Sequence, residues 1–149
     1  AEDTGLINEL TQWVIDQALK AYQQLHLQKY DIHKISINII GQDISLPGFL
    51  TYVQDKILEF NIPRDRIIFE LTESVMVSDN DKLRKLINDL SQLGVSISID
   101  DYGTGYSSLT YISQLKFDEL KIDKVFILDL DKSTRNLTIV KTTIDMAKN

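Results

Sequence analysis

The stretch Val95-Ser-Ile-Ser-Ile-Asp100, followed at once by Asp101-Tyr-Gly-Thr-Gly105, decides the fold. Val95, Ile97 and Ile99 alternate with Ser96, Ser98 and Asp100, the period-two pattern of a strand with one apolar and one polar face. Three further segments repeat it: Ile35-Ser-Ile-Asn-Ile-Ile40, Arg66-Ile-Ile-Phe-Glu-Leu-Thr72 and Glu119-Leu-Lys-Ile-Asp123. Helical spacing fills the gaps between them. Leu6, Ile7, Leu10, Val14, Ala18, Ala21 and Leu25 predict a helix before the first strand, with Trp13 beside its buried face and packed in the core. Pro47-Gly48 opens a second helix over Phe49, Val53, Ile57 and Leu58, which Asn61-Ile-Pro63 ends. Ser78 to Asp81 caps a third, with Leu83, Leu86, Ile87 and Leu90 on one face and Gly94 at its end.

After the glycine loop, Ser107 caps a short helix bearing Leu109, Ile112 and Leu115. A last helix carries Leu137, Val140, Ile144 and Met146. Strands thus alternate with helices and no hairpin signal intervenes, which predicts a parallel α/β architecture. A closed barrel of eight such units takes about 250 residues. With 149 residues and four strands, the chain reads as parallel βα units of an incomplete TIM-like (β/α)8 barrel. An open doubly wound sheet is the alternative.

Composition narrows the chemistry. Sixteen Lys and Arg against 22 Asp and Glu give a net charge of −6, so the basic footprint of a duplex nucleic-acid binder is missing. Without cysteine there is no disulfide, thiolate nucleophile or zinc–thiolate site. No apolar run reaches the roughly 18 residues of a membrane span, and no signal-peptide pattern is visible. The chain opens at Ala1 and stops at Asn149 within a helical pattern, so it is expected to be a piece of a longer protein.

The polar faces of the strands carry the functional signal. Parallel strands are normally buried on both sides. Yet Asn38, Glu70, Asp100 and Lys121 take equivalent places on four successive strands, toward their C-terminal ends. Active sites of parallel barrels lie at that end. Asn38 offers a carbonyl oxygen, and Glu70, Asp100 and Asp101 offer carboxylates, with no His or Cys among them. Hard oxygen ligands suit Mg²⁺ or Mn²⁺, with Ca²⁺ also possible. Carboxylates held close repel one another unless a cation neutralises them. Alternation breaks down at Asp100-Asp101, so both can face one site, as suits two cations a few ångströms apart on a phosphodiester. Lys121 adds a charge that can hold a phosphate or the attacking water. His26 and His33 lie outside the pattern and read as surface or loop residues. Asp129 and Asp131 read as turn residues.

Glu70-Leu-Thr-Glu-Ser74, Asp100-Asp-Tyr-Gly-Thr-Gly-Tyr-Ser-Ser-Leu109 and Leu120-Lys-Ile-Asp-Lys124 together resemble the EAL domain family, the cyclic di-GMP phosphodiesterases of bacterial signalling. The resemblance covers the whole chain, and the chain covers the central part of that family's domain. It implies a modified TIM barrel that opens cyclic di-GMP to linear pGpG with Mg²⁺ or Mn²⁺ at a two-metal site. By motif it implies that Asn38, Glu70 and Asp100 bind metal, that Asp101 contacts the second metal, and that Lys121 orients the nucleophilic water. It likewise implies that Glu73 braces the loop that starts at Asp101 and runs through Tyr102, Gly103, Thr104 and Gly105, and that this loop governs the metal site and dimerisation. Tyr102 replaces the family's usual Phe, and Ile40 stands where Ser is usual.

The resemblance further implies that the signature Glu-Ala-Leu segment and the last strands lie outside residues 1–149. The isolated piece is therefore expected to be inactive and to self-associate. The complete protein is expected in the cytoplasm or anchored at a membrane from elsewhere in its chain, as a homodimer, fused to GGDEF or sensory domains. A degenerate EAL domain that senses cyclic di-GMP without cleaving it is the binding-module alternative. A class I aldolase with Lys121 as Schiff base is a third reading, disfavoured by the carboxylates beside that lysine.

Overall fold

The computed structural model describes residues 6–40, 47–77, 80–104, 112 and 114–148. Helix α1 is Leu6–Leu27, strand β1 Ile35–Ile39, helix α2 Phe49–Glu59, strand β2 Ile67–Thr72, helix α3 Asn80–Leu93, strand β3 Ser96–Tyr102, strand β4 Glu119–Ile122 and helix α4 Thr134–Ala147. The expected caps Ser78, Asp79 and Ser107, and Leu109 of the short helix, lie outside the described residues. All three strand pairings are parallel, and the order across the sheet is β1-β2-β3-β4. A doubly wound sheet reverses its order at a switch point. An unbroken sequential order is that of a barrel segment.

Register places the polar residues in rows. Asn38 pairs with Glu70, Glu70 with Ser98 and Ser98 with Glu119. Residues level with one another on neighbouring parallel strands point to the same face, so this row crosses the whole sheet. On the opposite face Ile37, Ile39, Ile67, Phe69, Leu71, Ile97 and Ile99 are buried beneath the helices. Phe49 of α2 meets Phe69 edge-on at 6.4 Å between ring centroids, a favoured aromatic geometry. Between α1 and α2, the Tyr52 hydroxyl donates to Asp16 at 2.7 Å, and Lys56 pairs with Asp16 at 3.5 Å. Burial first, then the hydrogen bond and charge of Asp16, raise the Tyr52 pKa above its usual value.

Helix α3 matches its sequence reading, with Leu83, Leu86, Ile87 and Leu90 all buried. It stops at Gly94, whose φ of 92° lies in the left-handed region that a side chain would resist. Three other expectations need correction. In α1 the buried stripe is Thr11, Ile15, Leu19 and Tyr22, while Leu10 and Leu25 are exposed and Trp13, expected in the core, is 59 % exposed. The two stripes lie on neighbouring faces of one helix: β1 and α2 cover the Ile15 side, and of the expected stripe Val14 and Ala18 still pack against the core while Leu10 and Leu25 do not. In α2 Leu58 is exposed beside buried Ile57. In α4 Val140 and Thr143 are buried, whereas Leu137 and Ile144 are exposed. Among the described residues no helix is long and apolar enough to cross a membrane.

Ile15 and Leu10 therefore separate the two phases of α1. Ile15→Ala should cost about 2–5 kcal/mol, as large-to-small changes in a packed core do. Leu10→Ala should stay within about 0.5 kcal/mol. Urea denaturation of the two variants checks this, and equal losses would contradict the observed phase.

Candidate active site

The residues singled out by sequence share one face toward the C-terminal ends of the four strands, but they do not take the equivalent places expected: Asn38 and Glu70 are level with Ser98, and Asp100 is level with Thr72, two residues further on. Glu70, in the middle of β2, is buried. Its Oε1 lies 2.5 Å from Lys121 Nζ of β4. Strand β3 runs between the two, and the residue level with Glu70 there is Ser98. A small side chain at that position leaves room for the lysine stem to reach across one strand. The Ser36 hydroxyl of β1 also donates to the Glu70 carboxylate. Burial alone would raise the Glu70 pKa. The hydrogen bonds from Lys121 and Ser36 and the lysine charge outweigh it, and the pKa falls below its usual value. Desolvation works against the charge on Lys121 too, but Glu70, then Asp100 and Glu119, hold its pKa above the usual lysine value.

Asp100 and Asp101 sit where β3 departs from regular pairing. The register shifts between Ile99 and Tyr102, and Asp101 has φ 56°. That left-handed residue is the physical form of the broken alternation. It lets adjacent carboxylates occupy one strand end at the cost of backbone strain. The Asp101 amide donates to Asp100 Oδ1 at 3.1 Å. The Asp101 pKa is raised, first by lost hydration and then by the charges of Asp100 and Asp123. Such mutual repulsion is what a bound cation would relieve. Asn38 is exposed on the same face, level with Glu70.

The loop that begins here is held from three sides. Glu73, in the short 3-10 turn Glu73–Val77 after β2, is 2 % exposed, and its Oε2 accepts from the Gly103 amide at 2.8 Å. Gly103 has φ 102°, and a Cβ there would lie 2.6 Å from Phe126 Cε2, so only glycine fits. Tyr102 is buried, and its hydroxyl meets Thr143 of α4. Burial, reinforced by the Glu73 charge, raises the Tyr102 pKa, while the Thr143 hydrogen bond pulls the other way. The Thr104 hydroxyl donates to the Asp101 carbonyl at 2.9 Å, closing the turn. Gly105, the last of the predicted loop residues, lies outside the described residues.

The structure thus brings Glu70 and Lys121 into contact, sets Asp100 within charge reach of Lys121, and ties Glu73 to the loop. Among the described residues, no three His, Cys, Asp or Glu side chains gather closely enough to hold a metal together. The donor set still fits a hard cation by its chemistry: the oxygen donors Asn38 and Glu70, and a mutually repelling aspartate pair, Asp100 and Asp101, toward the same strand ends. Sequence reasoning did not single out Ser36, Ser98 or Thr143. Ser98 Oγ is fully buried and has no hydrogen-bond partner among the described residues. The signal for the two serines was their place on the polar strand face. Thr143 carried none, because its partner Tyr102 lies some 40 residues away in sequence.

Comparison with known proteins agrees with this geometry. The cyclic di-GMP phosphodiesterase NbdA of Pseudomonas aeruginosa is 33 % identical over 148 residues, which are 99 % of this chain and 19 % of that protein. A solved structure of the PaMucR phosphodiesterase in complex with c-di-GMP superposes with a TM-score of 0.88 at 35 % identity, covering 99 % of this chain and 60 % of that one. The crystal structure of the EAL domain of Mycobacterium smegmatis DcpA gives a TM-score of 0.86 at 33 % identity, covering 95 % of this chain and 64 % of that one. The chain thus spans about one fifth of that curated relative and under two thirds of the two solved chains. With the EAL domain model matching from residue 1 to residue 149, the chain belongs to the EAL domain family.

Proposed function

We propose that this chain forms the central part of a metal-dependent phosphodiesterase domain that opens cyclic di-GMP to linear pGpG. One observation carries the reading. Asn38, Glu70, Asp100 and Lys121 lie on one face at one end of four parallel strands, with Glu70 and Lys121 in contact. The likeness to the PaMucR phosphodiesterase solved with c-di-GMP supports it, at 35 % identity.

Asn38, Glu70, Asp100 and Asp101 are the residues that would hold Mg²⁺ or Mn²⁺. Bound there, such ions supply an activated water and charge stabilisation for an in-line displacement at phosphorus. The protein's own contribution is positional. Asn38 gives a neutral oxygen, which limits the charge that accumulates at the site. Glu70 is fixed by its burial on β2. Asp101 is aimed by its left-handed backbone, and Glu73 keeps the loop in register by holding the Gly103 amide. Lys121 holds the attacking water against the phosphate, where its charge offsets that of the developing transition state. The remaining ligands come from segments of the domain outside residues 1–149, and dimerisation through the Asp101 loop belongs to the same reading.

In the complete protein, Glu70→Gln or Asp100→Asn should weaken Mn²⁺ binding and cut turnover by orders of magnitude. Chromatography of released pGpG at limiting metal is the measurement, and normal hydrolysis by either variant would refute the assignment. A receptor that does not cleave would instead bind cyclic di-GMP and release no pGpG at any metal concentration.

Lys121 should behave differently. Lys121→Ala should leave KM within a few-fold of the wild type and lower kcat, the pattern of an interaction made mainly in the transition state. Steady-state kinetics at saturating Mn²⁺ decides it. A rise in KM alone would remove the water-holding role.

A further inference from the structure

The Lys121 ammonium touches a group that the proposed reaction needs for something else. Glu70 Oε1 is 2.5 Å from Lys121 Nζ, and an oxygen committed at that distance is not free for a metal ion. Asp100 and Glu119 also act on Lys121 by charge. The ammonium therefore lies amid the carboxylates of this strand end.

We infer that Lys121 is the resident counter-ion of Glu70 when no metal is bound, and that it must release Glu70 before a divalent cation can take that oxygen. The inference rests on the reading of Glu70 as a metal ligand, and adds to it a competition that sets metal affinity.

Three physical arguments support it. A buried carboxylate left without a partner is strongly destabilising, so the metal-free fold needs a cation at Glu70. Lysine suits an exchangeable role. It is a point charge on a flexible stem, unlike the planar fork of arginine. Its side chain is 35 % exposed while that of Glu70 is 9 % exposed, so the ammonium has an open path outward and the carboxylate does not. Once released, the ammonium is still at the mouth of the site, where it can hold water or a phosphate oxygen. One side chain thus serves both Glu70 and the substrate side of the site.

The test is Mn²⁺ binding by the complete protein without substrate, read from the electron paramagnetic resonance signal of free Mn²⁺. Removing a positive charge a few ångströms from the site should tighten binding by at least about tenfold in Lys121→Met. Lys121→Arg keeps the charge and should stay within about threefold of the wild type. Glu70→Gln reports on the ligand reading by itself and should lose Mn²⁺ binding. If Glu70→Gln binds Mn²⁺ as the wild type does, Glu70 is not a ligand and both readings fall. If Glu70→Gln loses binding while Lys121→Met binds no tighter than wild type, the counter-ion role alone is overturned.

Discussion

The contact between Glu70 and Lys121 is the constraint on which the site depends. It joins β2 to β4 across β3, so it exists only if all three strands keep their parallel register. That register in turn depends on the apolar face beneath. A slip of one residue would carry Ile67, Phe69 and Leu71 out of the core and Glu70 into it. Core packing and site assembly are therefore one requirement. The buried carboxylate is tolerated because its cation arrives from a strand held in place by the same core.

The second constraint is the departure of β3 from regular pairing. A strand that alternates to its end would send Asp100 and Asp101 to opposite faces. The positive φ of Asp101 removes that limit. Its cost is borne by neighbours that fix the loop: Glu73 on the Gly103 amide, Phe126 against Gly103, and Thr143 on the Tyr102 hydroxyl. The Tyr102 hydroxyl beside Thr143 thereby ties the loop to α4.

Much of this was legible in the residues, and the misses have physical reasons. The four strands were readable because apolar and polar residues largely alternate, Ile68 of β2 being an exception, and each is bounded by turn residues. The buried face of α3 was readable because its apolar residues form one stripe. In α1 they form two, and periodicity alone cannot tell which stripe meets the sheet; Trp13 and Leu10 went to the wrong side of that choice. The gathering of Asn38, Glu70, Asp100 and Lys121 at one strand end follows from strand phase. That Lys121 reaches Glu70 does not, because the contact skips a strand and needs a small residue at Ser98 between them. The left-handed Asp101 was visible only as a break in alternation, since aspartate adopts that conformation more readily than most side chains without requiring it.

The most direct test of the account is Mn²⁺ anomalous diffraction from crystals of the complete protein grown with and without the ion. The account predicts an anomalous peak at the Glu70 carboxylate, with Lys121 withdrawn from Oε1 in the metal-bound crystals and paired with it in the metal-free ones. A peak remote from Glu70, or Lys121 still paired with Glu70 beside a bound ion, would contradict it.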